Sequence, residues 1–173
     1  MGFMFGGIIM KNGAGLSNEA ILQTLDRERY YYYDEVSLEK ATGGSFEGVA
    51  IARTGSMALI FGEDIAYSCS YEKDQSSAVD KKLEQLSNEG DILCFLLNSV
   101  AETYAYCVFS KGKKMRAKSV AEKKLLSGFG DTTYEKGIEK IDDQAVMHLI
   151  ENFTGNSFIE LVFEKNLTAA AYR

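Results

Sequence analysis

Apolar positions change their spacing several times along the chain, and each change marks an element. A near-continuous apolar run at 3–10 reads as a first strand, ended by the turn Lys11-Asn-Gly-Ala-Gly15. Ser17 then caps a helix running to about Glu28, with Ile21, Leu22 and Leu25 on its inner side. Phe46–Phe61 reads as a hairpin around Thr54-Gly55, with Val49 and Ile51 in one arm and Met57, Leu59 and Phe61 in the other. A further strand is expected at Ile65–Ser70, and an amphipathic helix at Ser76–Ser87 carrying Val79, Leu83 and Leu86.

The pattern is clearest from Asp91 to Ser119. Ile92–Leu97, Tyr104–Phe109 and the alternating Met115–Ser119 predict three antiparallel strands, the last two joined by the turn Ser110–Lys113. A helix at Asp142–Phe153 follows, striped by Ala145, Val146, Leu149, Ile150 and Phe153, with acidic residues at its positive N-terminal end. Residues 157–164 fit a strand through Ile159, Leu161 and Phe163, or a short helix, because Phe158 and Val162 spoil the alternation. Gly128–Ile141 reads as a loop. Hairpins outnumber crossovers, so the expected fold is α+β: an antiparallel or mixed sheet covered by two or three α-helices, in one domain spanning 1–173.

Composition narrows the class without naming a function. Hydrophobic residues at 46% and charged residues at 25% are ordinary globular usage. The N-terminal apolar run lacks a preceding basic region and a clean cleavage site, so it is not read as a secretory signal. No apolar stretch approaches the roughly 18 residues of a membrane span. Cys69, Cys94 and Cys107 are odd in number, scattered and without a CxxC pair, which fits neither a disulfide framework nor a zinc knuckle. A reducing, cytoplasmic compartment is expected, with no metal and no cofactor.

Candidate chemistry is sparse. The only histidine, His148, lies on the last predicted helix with no nucleophile signature nearby, so no catalytic residue is assigned. Gly13-Ala-Gly15 sits between strand and helix, where a phosphate can bind, but Asn18 stands where a dinucleotide fingerprint wants glycine, and a plain turn explains it. Tyr30–Tyr33 predicts a strand whose tyrosines alternate between core and solvent, so that two of them, represented by Tyr31 and Tyr33, form a recognition surface. Of 19 basic and 25 acidic residues, seven basic and one acidic fall in Lys111–Lys124, giving that segment +6 and leaving −12 elsewhere. With Tyr104 and Tyr106 beside it, this segment suits phosphates or an acidic partner protein; lysines such as Lys113 and Lys114 suit the protection of an exposed edge strand better. A sequence pI near 4.9 argues against specific nucleic-acid binding.

Leu97-Asn-Ser-Val100, Tyr104-Ala-Tyr106, Lys111-Gly-Lys113, Arg116, Ser119, Gly128-Phe-Gly130 and Glu135 together resemble a family of uncharacterised bacterial proteins of unknown function, over about 93–136. The proline usual before the acidic residue is absent here. The resemblance implies no activity, only that Asn98, Arg116 and Glu135 are positioned for a common reason. Two functional readings follow. One is a non-enzymatic interaction or regulatory module of immunity type, presenting an acidic surface with one basic hairpin to another protein. The other is a small-molecule-binding protein or atypical enzyme in which Arg116, Asn98, Glu102 or Glu135 converge with the Tyr30–Tyr33 strand in one cleft. Membrane association is not expected, and the oligomeric state is not set by the sequence.

Overall fold

β5 is the strand from which the architecture follows. The computed structural model describes residues 4–43, 46–62, 64–72 and 75–173, and in it Ile92–Asn98 forms β5 with six consecutive buried residues. A strand buried on both faces reads as such a run rather than as an alternation. Leu93, Phe95 and Leu97 enter one apolar cluster with Phe5 and Ile9; Ile92 and Cys94 enter a second with Ile8 and Met10. The two clusters are the two faces of one sheet, because neighbouring side chains along a strand point to opposite sides.

The remaining strands are β1 (Met4–Met10), β2 (Tyr32–Ser37), β3 (Val49–Thr54), β4 (Met57–Phe61), β6 (Thr103–Ser110), β7 (Lys113–Ala121), β8 (Lys124–Gly130) and β9 (Thr168–Tyr172). Their order in the sheet is β2-β9-β3-β4-β1-β5-β6-β7-β8, with every pairing among the described residues antiparallel. β2 and β8 are the edges. The chain is thus α+β with an open antiparallel sheet, and its N-terminal strand lies near the middle.

Helices α1 (Asn18–Thr24), α2 (Leu38–Ala41), α3 (Ala78–Leu86) and α4 (Asp143–Thr154) start where side-chain caps satisfy their free N–H groups. Ser17 and Ser37 accept from Ala20 and Lys40, Ser77 and Asp80 form a capping box, and Asp142 accepts from Ala145. α4 ends at Gly155, whose φ of 76° is the left-handed cap that glycine adopts without penalty. Val146, Leu149, Ile150 and Phe153 of α4, with Leu38 and Ala41 of α2, belong to the first cluster; Ile21 and Leu22 of α1 and Val79 and Leu83 of α3 belong to the second.

Several elements depart from the sequence expectations. Phe3 lies outside the described residues, and the first strand begins at Met4. The strand expected at Ile65–Ser70 is instead a 3-10 turn at Ala66–Ser68, whose Ala66 packs so closely on β1 that a Cβ at Gly6 would stand 2.4 Å from its own. Residues 160–164 resolve as a π-helical turn. β8, at Lys124–Gly130, is not among the expected strands and takes the first residues of the expected loop, Gly128–Gly130, and the alanine-rich β9 carries little β-forming signal of its own. Of the four tyrosines, only Tyr32 and Tyr33 lie in β2, the register slips there, and Tyr31, Tyr32 and Tyr33 are all exposed; Val36 alone of β2 reaches the core. The expected division of the tyrosines between core and solvent therefore does not occur.

Candidate functional site

The β6–β7–β8 region holds most of the residues singled out from sequence. Two-residue turns connect its strands: Lys111-Gly112, with φ of 52° and 76°, and Glu122-Lys123, with φ of 48° and 63°. Two successive positive φ values match the twist of paired strands. Each pairing also contains a bulge. Val108 opposes Arg116 while Phe109 opposes Lys114, so Met115 is an extra residue; Ser119 opposes Ser127 while Val120 opposes Leu125, so Leu126 is another.

The first bulge decides where the charges go. Without it, Lys114 and Arg116 would share a face; with it, Lys114 follows Phe109 into the second cluster's side and Arg116 follows Val108 to the first. Arg116 Nε lies 2.5 Å from Glu135 Oε1 and Nη2 lies 3.2 Å from Oε2, a two-pronged pair, while Nη1 donates to the carbonyls of Phe129 and Gly130. The Tyr106 hydroxyl donates to the same carboxylate. Beside it, Tyr134 donates to Asp91 at 2.6 Å and receives Lys11 at 2.8 Å. This network clasps the segment around Thr133–Glu135 against the sheet.

Of the three residues grouped by the family resemblance, Arg116 and Glu135 therefore meet. Asn98 does not join them: its Oδ1 accepts from the Ala101 N–H and shapes the β5–β6 turn. Tyr104 is buried in the first cluster, and Lys113 is exposed. Tyr31 and Tyr33 stand at the β2 edge, separated from β7 by six intervening strands and so by on the order of 30 Å at the usual strand spacing. Neither the cleft lined by Asn12, Leu16, Leu86 and Glu89 nor that lined by Arg27, Tyr30, Glu47 and Asp64 includes Tyr106, Arg116 or Glu135. His148 is exposed and 3.7 Å from Glu151 on the same helix. Gly13 is buried where a Cβ would lie 2.7 Å from that of Ala58, so packing explains that glycine.

Burial, then the hydrogen bond to Glu135, pushes the Tyr106 phenol well above its ordinary value; burial, then Asp91, does the same for Tyr134. The folded chain therefore keeps protons that the unfolded chain loses above about pH 10, and stability falls as pH rises past that point. For Tyr106 the slope approaches about 1.4 kcal/mol per pH unit; the more exposed Tyr134 contributes less. Urea unfolding between about pH 9 and about pH 11.5 is expected to show a shallower decline for Tyr106→Phe than for the wild type. Equal declines would show that Tyr106 ionises freely in the fold.

On the opposite face, Lys114 Nζ lies 2.7 Å from Asp80 Oδ2 and also donates to the carbonyls of Ser70 and Gln75. Both side chains are buried, at 6% and 0% exposure. Asp80 further accepts the N–H groups of Ser70 and Ser77. Next to this pair the three cysteines converge. Cys94 and Cys107 are direct cross-strand partners on β5 and β6, Cys69 follows the Ala66–Ser68 turn, and all three sulfurs lie within 4.8 Å of one another. Their scatter along the sequence was the ground for expecting no metal site, and the fold removes that ground. Hydrogen bonding with Cys107 and Cys94 holds the Cys69 thiol below its usual range, while burial pushes Cys94 and Cys107 up.

The fold and these residues define an α+β protein with an open nine-stranded antiparallel sheet, one charged network on each face near the β8 edge, and a buried thiol cluster. No family model, curated protein or solved structure matches the chain. Among the described residues, no helix is long and apolar enough to cross a membrane.

Proposed function

We propose that the protein is a non-enzymatic interaction module, of regulatory or immunity type, that takes an extended acidic segment of a partner protein along the β8 edge. The observation that carries this reading is the combination at that edge of a strand with one unpaired side and two adjacent exposed leucines, Leu125 at 62% and Leu126 at 66%. Lys123 and Lys124 are exposed beside them at the β7–β8 turn, whereas Lys111 and Lys113 are exposed at the far end of β7. Lysines and a bulge alone serve to blunt an edge. Edge protection does not call for a pair of solvent-facing leucines, whereas strand addition uses backbone hydrogen bonds for affinity and side-chain contacts for choice of partner.

The reading in which Arg116 and tyrosines line a catalytic cleft finds less support. The Arg116 donors are engaged by Glu135 and two carbonyls, and the exposed tyrosines occupy the other edge. We also infer that helices close both faces of the sheet, α2 and α4 on one and α1 and α3 on the other, which is supported by the two-sided burial of β5. Three unpaired cysteines support a reducing, cytoplasmic setting.

Capture from a lysate of the source organism tests the interface with four baits: wild type, Leu125→Lys/Leu126→Glu, Lys123→Glu/Lys124→Glu, and Tyr31→Ser as the distant control. A protein held by the wild type and the Tyr31 variant, lost from both β8 variants and released by salt, is the expected result. Identical capture by all four baits rejects the β8 edge as the contact surface.

A further inference from the structure

We propose that Cys69, Cys94 and Cys107 form a trigonal thiolate site for a soft, thiophilic metal ion, with Cu(I) as its representative. Three sulfurs no more than 4.8 Å apart leave a point within about 2.8 Å of all of them, a few tenths of an ångström from a typical metal–thiolate distance of ~2.3 Å. Closing the site therefore takes small side-chain adjustments.

Three features set the chemistry apart from that of ordinary buried cysteines, which pack as small apolar groups. Cys69 Sγ and Cys94 Sγ are 3.1 Å apart, closer than the ~3.5–4.0 Å of packed carbon atoms. The donors sit on held elements: Cys94 and Cys107 on the paired interior strands β5 and β6, and Cys69 on a segment pinned by Tyr71 to the Ala66 carbonyl, by Ser77 to the Ser68 carbonyl, and by Ser70 to Asp80. Among the described residues, the surroundings also offer no competing ligand. The Lys114 ammonium and the Asp80 carboxylate both lie within electrostatic reach of Cys69, and the Asp80 oxygens are already taken by Lys114 and two N–H groups.

An all-sulfur, three-donor set selects by softness. Hard cations want oxygen ligands, and structural zinc wants a fourth donor. The single histidine is exposed on α4, whose apolar stripe lies in the other cluster. Cys69, at 6% exposure against 0% for its partners, is the side from which an ion arrives. On binding, the sulfur protons leave to solvent, three S–metal bonds form and no electron is transferred.

The test is anaerobic titration of the reduced full chain with Cu(I), supplied as its acetonitrile complex, against a chromophoric Cu(I) chelator. One Cu(I) per chain is expected, with a thiolate-to-metal charge-transfer band and an X-ray absorption spectrum fitted by three sulfur neighbours and no nitrogen or oxygen. Cys69→Ser, Cys94→Ala and Cys107→Ala are each expected to weaken binding at least tenfold. If a buried variant fails to fold, the wild-type absorption spectrum still decides the ligand set. Substoichiometric binding, nitrogen or oxygen neighbours, unchanged affinity in folded variants, or a Cys69–Cys94 disulfide formed in preference to metal binding each overturns the site.

Discussion

Lys114→Met is expected to destabilise the protein by about 3–5 kcal/mol, because it keeps the length of the side chain and removes only the charge that offsets a buried carboxylate. Asp80 has no exposed surface, and the two backbone N–H groups that remain do not replace an ammonium at 2.7 Å. The pair also joins α3 to β7, so the loss should appear as a cooperative fall in the denaturation midpoint rather than as fraying of the hairpin. Urea unfolding monitored by far-UV circular dichroism measures it. A loss under about 1 kcal/mol would show that Asp80 reaches water without Lys114.

Phe95→Ala is expected to cost a similar amount, about 3–5 kcal/mol, through the cavity it leaves. Phe95 is fully buried on β5, with edge contacts to Phe5 at 6.0 Å and Phe61 at 6.2 Å between ring centroids. Its ring also shares the space beside Gly7 of β1 with Phe61: a Cβ there would come within 2.9 Å of Phe61 and 3.1 Å of Phe95. The informative comparison is Leu125→Ala, which removes an equally apolar side chain from the β8 edge and is expected to change stability by no more than about 0.5 kcal/mol. Two leucines that the fold does not need for stability are what the proposed interface requires. A large loss for Leu125→Ala would reassign that residue to the core.

The candidate regions were legible to different degrees. The three strands from Ile92 to Ser119 and the turn at Lys111-Gly112 could be read directly, since alternation and a two-residue turn are local signals. The pairing of Arg116 with Glu135 was reachable only through the family resemblance, which grouped them without giving a reason. Asn98, in the same group, serves its own turn. The hairpin was read as one basic patch because its lysines and arginine follow one another in sequence. In the fold, Lys114 and Arg116 are withdrawn to opposite faces, and the exposed charge that remains is Lys111, Lys113, Lys123 and Lys124. No residue type announces a bulge, so no local signal was available for Met115 or Leu126.

By itself the sequence determined part of the local grammar: the strands β1 and β3 to β7, the helices α1, α3 and α4, and the cap at Ser17. Each of these depends on neighbours a few residues away, through hydrogen bonds and side-chain periodicity. Tertiary structure alone decided the strand order, the separation of the tyrosine edge from the basic edge, the bulges that sort Lys114 from Arg116, and the meeting of Cys69, Cys94 and Cys107. Those features depend on register between strands distant in the chain, and a shift of one residue would send each side chain to the other face.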